Sequence, residues 1–409
     1  MDKKGGLRKR GSWWNQETTA HIERVHELGT LHLKLRAPYF YPNLKSNIQK
    51  FHSKEGKKMK RGIVAVIAAV FALCLFSTYA GAAQPVVKLI ATGGTIAMKI
   101  DPVKKAPVPA ISGEDLLATV PDISKYAQVE VENISNVPSD YMDAKLWIAV
   151  YKAAEKALGR PEVAGVVVSH GTDTLEETAY FLDLTIKSNK PIVLIGAQRN
   201  ASEHDFDGPR NLLNAVRICV SPEAKNKGAM VVLNNQINAA REVTKVHTSS
   251  VETFKSGDFG FLGYADVDRV IFYRAPLRRQ QVPLNKDTLP YVEIVAMYGG
   301  ADGSMIRAAV ANGANGIVVQ ALGWGNMNVP MYNAVKEAIA KGVPVVISTR
   351  VPTGRVLPVY GFAGGGKTLK DAGAIFADDL SPQKARLLLM LLIQNDVKDT
   401  AQIQKSFDK

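Results

Sequence analysis

Two short segments carry residues that could do chemistry. Leu89-Ile90-Ala91-Thr92-Gly93-Gly94-Thr95-Ile96-Ala97 is an apolar run that ends in two glycines and a threonine. Ser169-His170-Gly171-Thr172-Asp173-Thr174-Leu175-Glu176-Glu177 follows a valine-rich run and offers Thr172 beside Asp173. A threonine hydroxyl needs help to act as a nucleophile or to orient water, and a carboxylate or a lysine of lowered pKa supplies it. In an open α/β sheet, polar residues at the carboxyl ends of strands sit where ligands bind. Paired glycines let the chain turn tightly and approach a ligand closely. Each segment also has a plain structural reading. Gly93-Gly94-Thr95 fits an ordinary strand-to-loop turn. Thr172 or Asp173 fits a cap for a helix starting at Leu175, with Glu176 and Glu177 suiting its dipole. A Rossmann loop is excluded, because G-x-G-x-x-G is absent.

The elements that position these segments follow a β-α-β-α rhythm. Strands are predicted at 86–91, 129–134, 163–169, 191–197 and 229–233. Helices are predicted at 144–158, with Asp143 as N-cap, at 174–188, and at 209–220 with Pro209 in the first turn. This alternation predicts a mostly parallel sheet with helices on both faces. Arg278 to Asp287 is polar and aperiodic, and marks a linker at 278–290. The rhythm then restarts: strand 292–297, helix 303–312, strand 316–321, helix 330–341, strand 343–348 and helix 381–395. The fold class is α/β with two domains, a larger N-terminal parallel-sheet domain at 84–277 and a smaller C-terminal α/β domain at 291–409.

The formal charge of +13 is misleading. Residues 1–61 hold 15 Lys/Arg against 5 Asp/Glu, a net of +10, and the remainder nets only +3. A near-neutral body gives no electrostatic case for nucleic acid. Met59-Lys60-Arg61 followed by the apolar run 62–76 and Ala80-Gly81-Ala82-Ala83 fits a secretory signal peptide at 59–83. The run of 15 residues is shorter than the ~20 a membrane-spanning helix needs. An uncleaved anchor is the alternative. Residues 1–58 read as an over-extended start or a cytoplasmic extension. The expected location is the periplasm or outside the cell, with no stable membrane association after leader cleavage. The exported part contains a single Cys, Cys219, so it has no internal disulfide and depends on a large core. No Cys/His cluster has metal-ligand spacing, so no metal is expected.

Other segments compete for attention. Gly361-Phe362-Ala363-Gly364-Gly365-Gly366-Lys367-Thr368 fits G-x-x-x-x-G-K-T, with 356–360 as its strand. Yet too little chain follows for the sheet that a P-loop opens, so a glycine loop is the simpler reading. Ser202-Glu203-His204-Asp205-Phe206-Asp207 sets a His among acids, but it leads into the Asp207-Gly208-Pro209 turn and reads as a rim loop. Leu322-Gly323-Trp324-Gly325-Asn326-Met327-Asn328 reads as a turn or a subunit contact. No G-x-S-x-G elbow exists, which argues against a serine triad.

From about 86 to 405 the chain resembles the bacterial type II (periplasmic) L-asparaginase/glutaminase-asparaginase family. The resemblance is strongest in Thr-Gly-Gly-Thr-Ile-Ala and His-Gly-Thr-Asp-Thr, and extends to Arg350-Val351-Pro352-Thr353-Gly354. It implies hydrolysis of the side-chain amide of L-asparagine to L-aspartate and ammonia, with L-glutamine as a further substrate, and no cofactor. It implies Thr95 as the nucleophile of an acyl-enzyme, and Thr172 and Lys245 in proton transfer or water activation. Asp173 would hold the substrate's α-amino group. Ser139 would take its carboxylate, with Asp140 at the neighbouring position. Backbone N–H groups around Gly94, Gly171 and Thr172 would hold the oxyanion. It also implies a homotetramer with sites completed across subunits. The alternatives are a glutaminase or other exported amidase, and a non-catalytic periplasmic solute-binding protein.

The sequence departs from the family in three places. The family's flap Tyr is missing from the shorter stretch 98–111, where Lys104-Lys105-Ala106-Pro107-Val108-Pro109 stands instead. A partner-domain Asn falls near Gly300, and a partner-domain Glu falls near Tyr360 or Gly361. Tyr360 is the candidate to supply the missing phenol from a partner.

Overall fold

A computed structural model describes residues 84–409, and the leader pattern at 59–83 and the extension at 1–58 lie outside the described residues. The first domain is built on one eight-stranded sheet. In chain order it begins with β1 (Val86–Gly93), then a separate hairpin of β2 (Met98–Asp101) and β3 (Ala106–Pro109). There follow β4 (Gln128–Val137), β5 (Val163–Ser169), β6 (Ile192–Ile195), β7 (Ala229–Leu233) and β8 (Gln236–Ala239). A second small hairpin pairs β9 (Thr244–Lys245) with β10 (Phe254–Lys255). Last come β11 (Gly263–Ala265) and β12 (Val270–Phe272). The strand order is β12-β11-β8-β7-β6-β5-β1-β4. The strands from β7 to β4 are parallel, whereas β8, β11 and β12 form an antiparallel edge.

The parallel half has both faces covered, as its valine- and isoleucine-rich strands require. On one face, helix Gly208–Val220 packs Leu212, Ala215, Val216 and Ile218 against Val167, Val193 and Met230. On the other, helices Ala144–Leu158 and Leu175–Thr185 share a core with helix Pro382–Gln394 of the second domain. Trp147 and Phe181 stack within it at 5.9 Å. The second domain carries β13 (Val292–Ala296), β14 (Gly316–Ala321), β15 (Val345–Thr349) and β16 (Ile375–Phe376), all parallel. Two-domain α/β architecture is therefore what the alternation of elements produces.

The connection from β12 to β13 has no regular structure but is strapped down. Arg279 pairs with buried Asp183 at 3.0 Å, and Arg278 with Asp378 and Asp379. Val282 N–H donates to the Leu184 carbonyl at 2.8 Å.

The structure adds to and departs from the sequence expectations at several places. Helix Leu175–Thr185 stops short of 188, and the Thr185 hydroxyl donates back to the Phe181 carbonyl at its last turn. The stretch 98–111 forms the β2–β3 hairpin despite Pro107 and Pro109, because a two-stranded ribbon leaves each strand an edge where Pro is tolerated. No strand forms at 356–360. The extra strand β8 follows Asn234 and Asn235, both in left-handed conformation with φ 49° and 64°, the geometry of a tight hairpin turn.

Candidate active site

β1 and β5 are parallel neighbours, with Ile90 opposite Val168 and Ala91 opposite Ser169. Their carboxyl ends therefore deliver the two motifs to one place. Gly93 and Gly94 have φ of 108° and 83°, a region that strains any side-chain-bearing residue. Space is as tight as conformation. A Cβ on Gly171 would fall 2.6 Å from Ser139 Oγ, and one on Gly196 would fall 2.9 Å from Thr172 Cγ2. Gly94 N–H donates to the Val137 carbonyl at 2.9 Å, which ties the first motif to the end of β4. The Thr174 hydroxyl donates to the Ser139 carbonyl at 2.8 Å. Gly94, Gly171, Thr172 and Ser139 are thus drawn into one cluster from three strand ends.

Thr95 follows directly, on the 3-10 turn Thr95–Ala97, half-buried. Lys245 enters from β9. Its Nζ donates to Thr172 Oγ1 at 2.9 Å and to Asp173 Oδ1 at 2.6 Å. The Lys245 side chain is 16% exposed and that of Asp173 58%, so the pair lies at the rim of the cluster. Neither Thr172 nor Asp173 caps the following helix. Thr174 holds the N-cap position without a side-chain cap bond, and the other two side chains are turned to Lys245. Ser139 is buried, and Asp140 points outward and is exposed.

Lys245 is held from behind by Glu176, Gln383 and Lys384, none of which the motifs mark as a site residue. Its backbone N–H donates to buried Glu176 Oε2 at 2.9 Å, and the other oxygen of Glu176 accepts from Gln383 of the second domain. Lys384, beside Gln383, is buried and donates to the carbonyls of Arg241 (3.1 Å) and Val243. Burial pushes its ammonium pKa down to about 8. Arg241 in turn pairs with Asp379 at 2.6 Å, both nearly buried. The loop that carries Lys245 is therefore clamped by the last domain. In the sequence Glu176 reads as an acid suiting the helix dipole; its partners lie far along the chain and leave no local signature.

The β2–β3 hairpin stands next to Thr95 and is pinned to the loop at 199–205. Ala201 N–H donates to the Met98 carbonyl at 2.9 Å, and Ile100 N–H to Ser202 Oγ at 3.0 Å. That loop is structural in other respects too. Asp207 accepts from the N–H groups of Gln198 and Arg199, both at 3.0 Å. Tyr360 is 45% exposed and stacks between Trp324 (5.8 Å) and Phe362 (5.7 Å). Among the described residues, no hydrogen bond joins it to the cluster of Thr172 and Lys245. The glycine loop at 361–368 spends its polar groups on itself and on its neighbours, with Gly366 N–H donating to Asn326 Oδ1 and the Gly364 carbonyl accepting from Met327 N–H. Lys367 pairs with Asp371 at 2.8 Å, and the Thr368 hydroxyl accepts from Gly364 N–H at 3.1 Å.

The same segments align with known proteins. Residues 86–278 match the family profile "Asparaginase, N-terminal", and residues 291–407 match "Glutaminase/Asparaginase C-terminal domain". The chain is 39% identical to L-asparaginase 2 of Bacillus subtilis over 335 residues, covering 80% of this chain and 86% of the relative. It is 36% identical to L-asparaginase 2 of Escherichia coli, covering 83% of this chain and 98% of the relative. A crystal structure of a probable cytoplasmic L-asparaginase from Campylobacter jejuni superposes with a TM-score of 0.73 at 39% identity, covering 80% of this chain and all of that one. Both family domains are present in order around a cluster of glycine, threonine and lysine residues at the strand ends, and the chain is an enzyme of the asparaginase family.

Proposed function

We propose that this enzyme hydrolyses the side-chain amide of L-asparagine to L-aspartate and ammonia, with L-glutamine as a secondary substrate. The observation that carries the reading is the Lys245–Thr172–Asp173 cluster, bonded at 2.9 and 2.6 Å, with Gly171, the residue before Thr172, seated against the Gly94 turn that leads into Thr95. In this mechanism Thr95 Oγ attacks the amide carbon. Its proton passes to the leaving nitrogen, the C–N bond breaks, and ammonia departs from a threonyl ester. Water, oriented by Thr172 with Lys245, then attacks the ester; acid is released and the Thr95 hydroxyl is restored. Asp173 retains an oxygen for the substrate's α-ammonium, and Ser139 Oγ receives the α-carboxylate. Backbone N–H groups around Gly94, Gly171 and Thr172 take the charge that develops on the carbonyl oxygen, usually the largest share of such catalysis.

The finer assignment is to the exported, type II branch, supported by the leader pattern at 59–83. A homotetramer with sites shared between subunits belongs to the same reading. Tyr360 of a neighbouring subunit is then the phenol that replaces the missing flap Tyr. Its exposure and its place in an aromatic stack on the surface favour such a contact.

Ammonia release by the purified enzyme, given L-asparagine, L-glutamine and their D-forms, tests the reaction. Turnover of L-asparagine that vanishes in Thr95→Ala supports it. A folded protein that releases ammonia from none of the four is instead a binding protein or an amidase for another substrate.

A further inference from the structure

His170 stands inside the second motif but its side chain has no part in the chemistry above. Its ring is fully buried, and burial pushes its pKa down to about 4, so it is neutral at working pH. Nδ1 lies 2.7 Å from the Gly171 carbonyl oxygen, and Nε2 lies 2.9 Å from Thr178 Oγ1. The Thr178 hydroxyl also faces Trp147 Nε1 at 3.0 Å. These contacts settle which nitrogen carries the proton. An indole N–H can only donate and a carbonyl can only accept. Thr178 Oγ therefore accepts from Trp147 and donates to Nε2, and the proton of the neutral ring sits on Nδ1, aimed at Gly171. The result is a one-way chain: Trp147 to Thr178 to His170 to the Gly171 carbonyl.

The peptide at the end of that chain is Gly171–Thr172. In a trans peptide the C=O and the next N–H point in opposite directions. Holding the Gly171 carbonyl toward the buried ring turns the Thr172 N–H away from it. Among the described residues, no acceptor takes that N–H, although Thr172 is buried. A buried donor without a partner is costly, and at a reaction centre it is a donor held ready for charge. Gly171 is also the residue whose lack of a side chain leaves the peptide lightly restrained by its own sterics.

We infer that His170 is a positioning residue that locks the Gly171–Thr172 peptide with its N–H facing the reacting carbonyl, through the Trp147–Thr178–His170 hydrogen-bond chain. The inference rests on the asparaginase reading above. Without the ring's donor the peptide can flip, and a carbonyl oxygen then faces the developing negative charge.

The test uses the full protein and two readouts. In the 15N-labelled enzyme, NMR of the His170 ring is expected to show Nδ1 protonated and Nε2 bare at pH 7, with no titration down to pH 5. An Nε2–H tautomer, or a midpoint near the ordinary ~6.5, overturns the inference. Ammonia release is then compared between His170→Asn, whose amide nitrogen can stand in for Nδ1, and His170→Leu, which has no donor. The expected result is a kcat about ten- to a hundredfold lower in His170→Leu with KM within about twofold, and a largely restored kcat in His170→Asn. Equal kcat in the Leu variant and the wild type, or equal losses in two variants that melt like the wild type, overturns it. If His170→Leu does not fold, the ring spectrum and His170→Asn decide. A wild type that releases no ammonia from L-asparagine defeats the functional reading instead, and the ring spectrum still judges the hydrogen-bond chain.

Discussion

Gly94 and Gly171 meet backbone to backbone: a Cβ on Gly94 would lie 2.2 Å from both the Cα and the N of Gly171. No side-chain movement can relieve that contact, and Gly94 also sits at positive φ. Gly94→Ala must push the two motifs apart. Displacements of about 1 Å at a reaction centre cost on the order of 10²-fold in rate. We expect kcat for ammonia release to fall at least that far, with a lower melting temperature. Wild-type kinetics in Gly94→Ala would refute the close apposition.

Thr95→Ala should reduce ammonia release to background, because it removes the hydroxyl that forms the ester in the proposed mechanism. Thr95→Ser should retain measurable turnover. In the serine variant the ester can be trapped by rapid acid quench and read by mass spectrometry as a covalent adduct on the peptide that contains residue 95. Full activity in Thr95→Ala would reassign the nucleophile.

Lys245 and Asp173 share a bond but should fail differently. Lys245→Met removes the group that directs Thr172, and general acid–base assistance contributes about 10²- to 10⁴-fold. The loss is expected in kcat. Asp173→Asn keeps the shape and removes the charge proposed to meet the substrate's ammonium, so KM should rise more than kcat falls. Steady-state kinetics on both variants checks the split, and an unchanged KM in Asp173→Asn argues against amine recognition there.

The buried ring of His170 gives a pH dependence with a definite sign. Its folded pKa is about 4, below the ~6.5 of an unfolded chain. Between those values the unfolded chain binds a proton that the folded ring refuses, so stability is full above pH ~6.5 and falls as the pH drops toward 4. The gap corresponds to about 3 kcal/mol at most. Denaturant unfolding of wild type and His170→Asn across this range is the measurement. The variant should lose the slope, and parallel curves would remove His170 as its source.

The parallel half of the first sheet was legible because its strands are long valine and isoleucine runs punctuated by Gly, Pro and Asn. The antiparallel edge was not. Gly263–Ala265 and Val270–Phe272 are three residues each, too short for a two-residue period to declare itself. The hairpin Met98–Pro109 was hidden by its prolines. Thr172 and Asp173 stood out because they are adjacent at a strand end. Lys245 had no such signal: it reaches them from a two-residue strand, and what holds it there is Glu176, 69 positions earlier. Only resemblance to a family could point to it.

The clamp of Gln383 and Lys384 on the Lys245 loop also has a consequence in time. Both residues lie on helix Pro382–Gln394, which is made well after the segments that carry Thr95 and Thr172. A chain still being made has its Thr95 and Thr172 long before it has the struts behind Lys245. Competence thus waits on this helix, and prematurely terminated products that lack it should be inert rather than partly active.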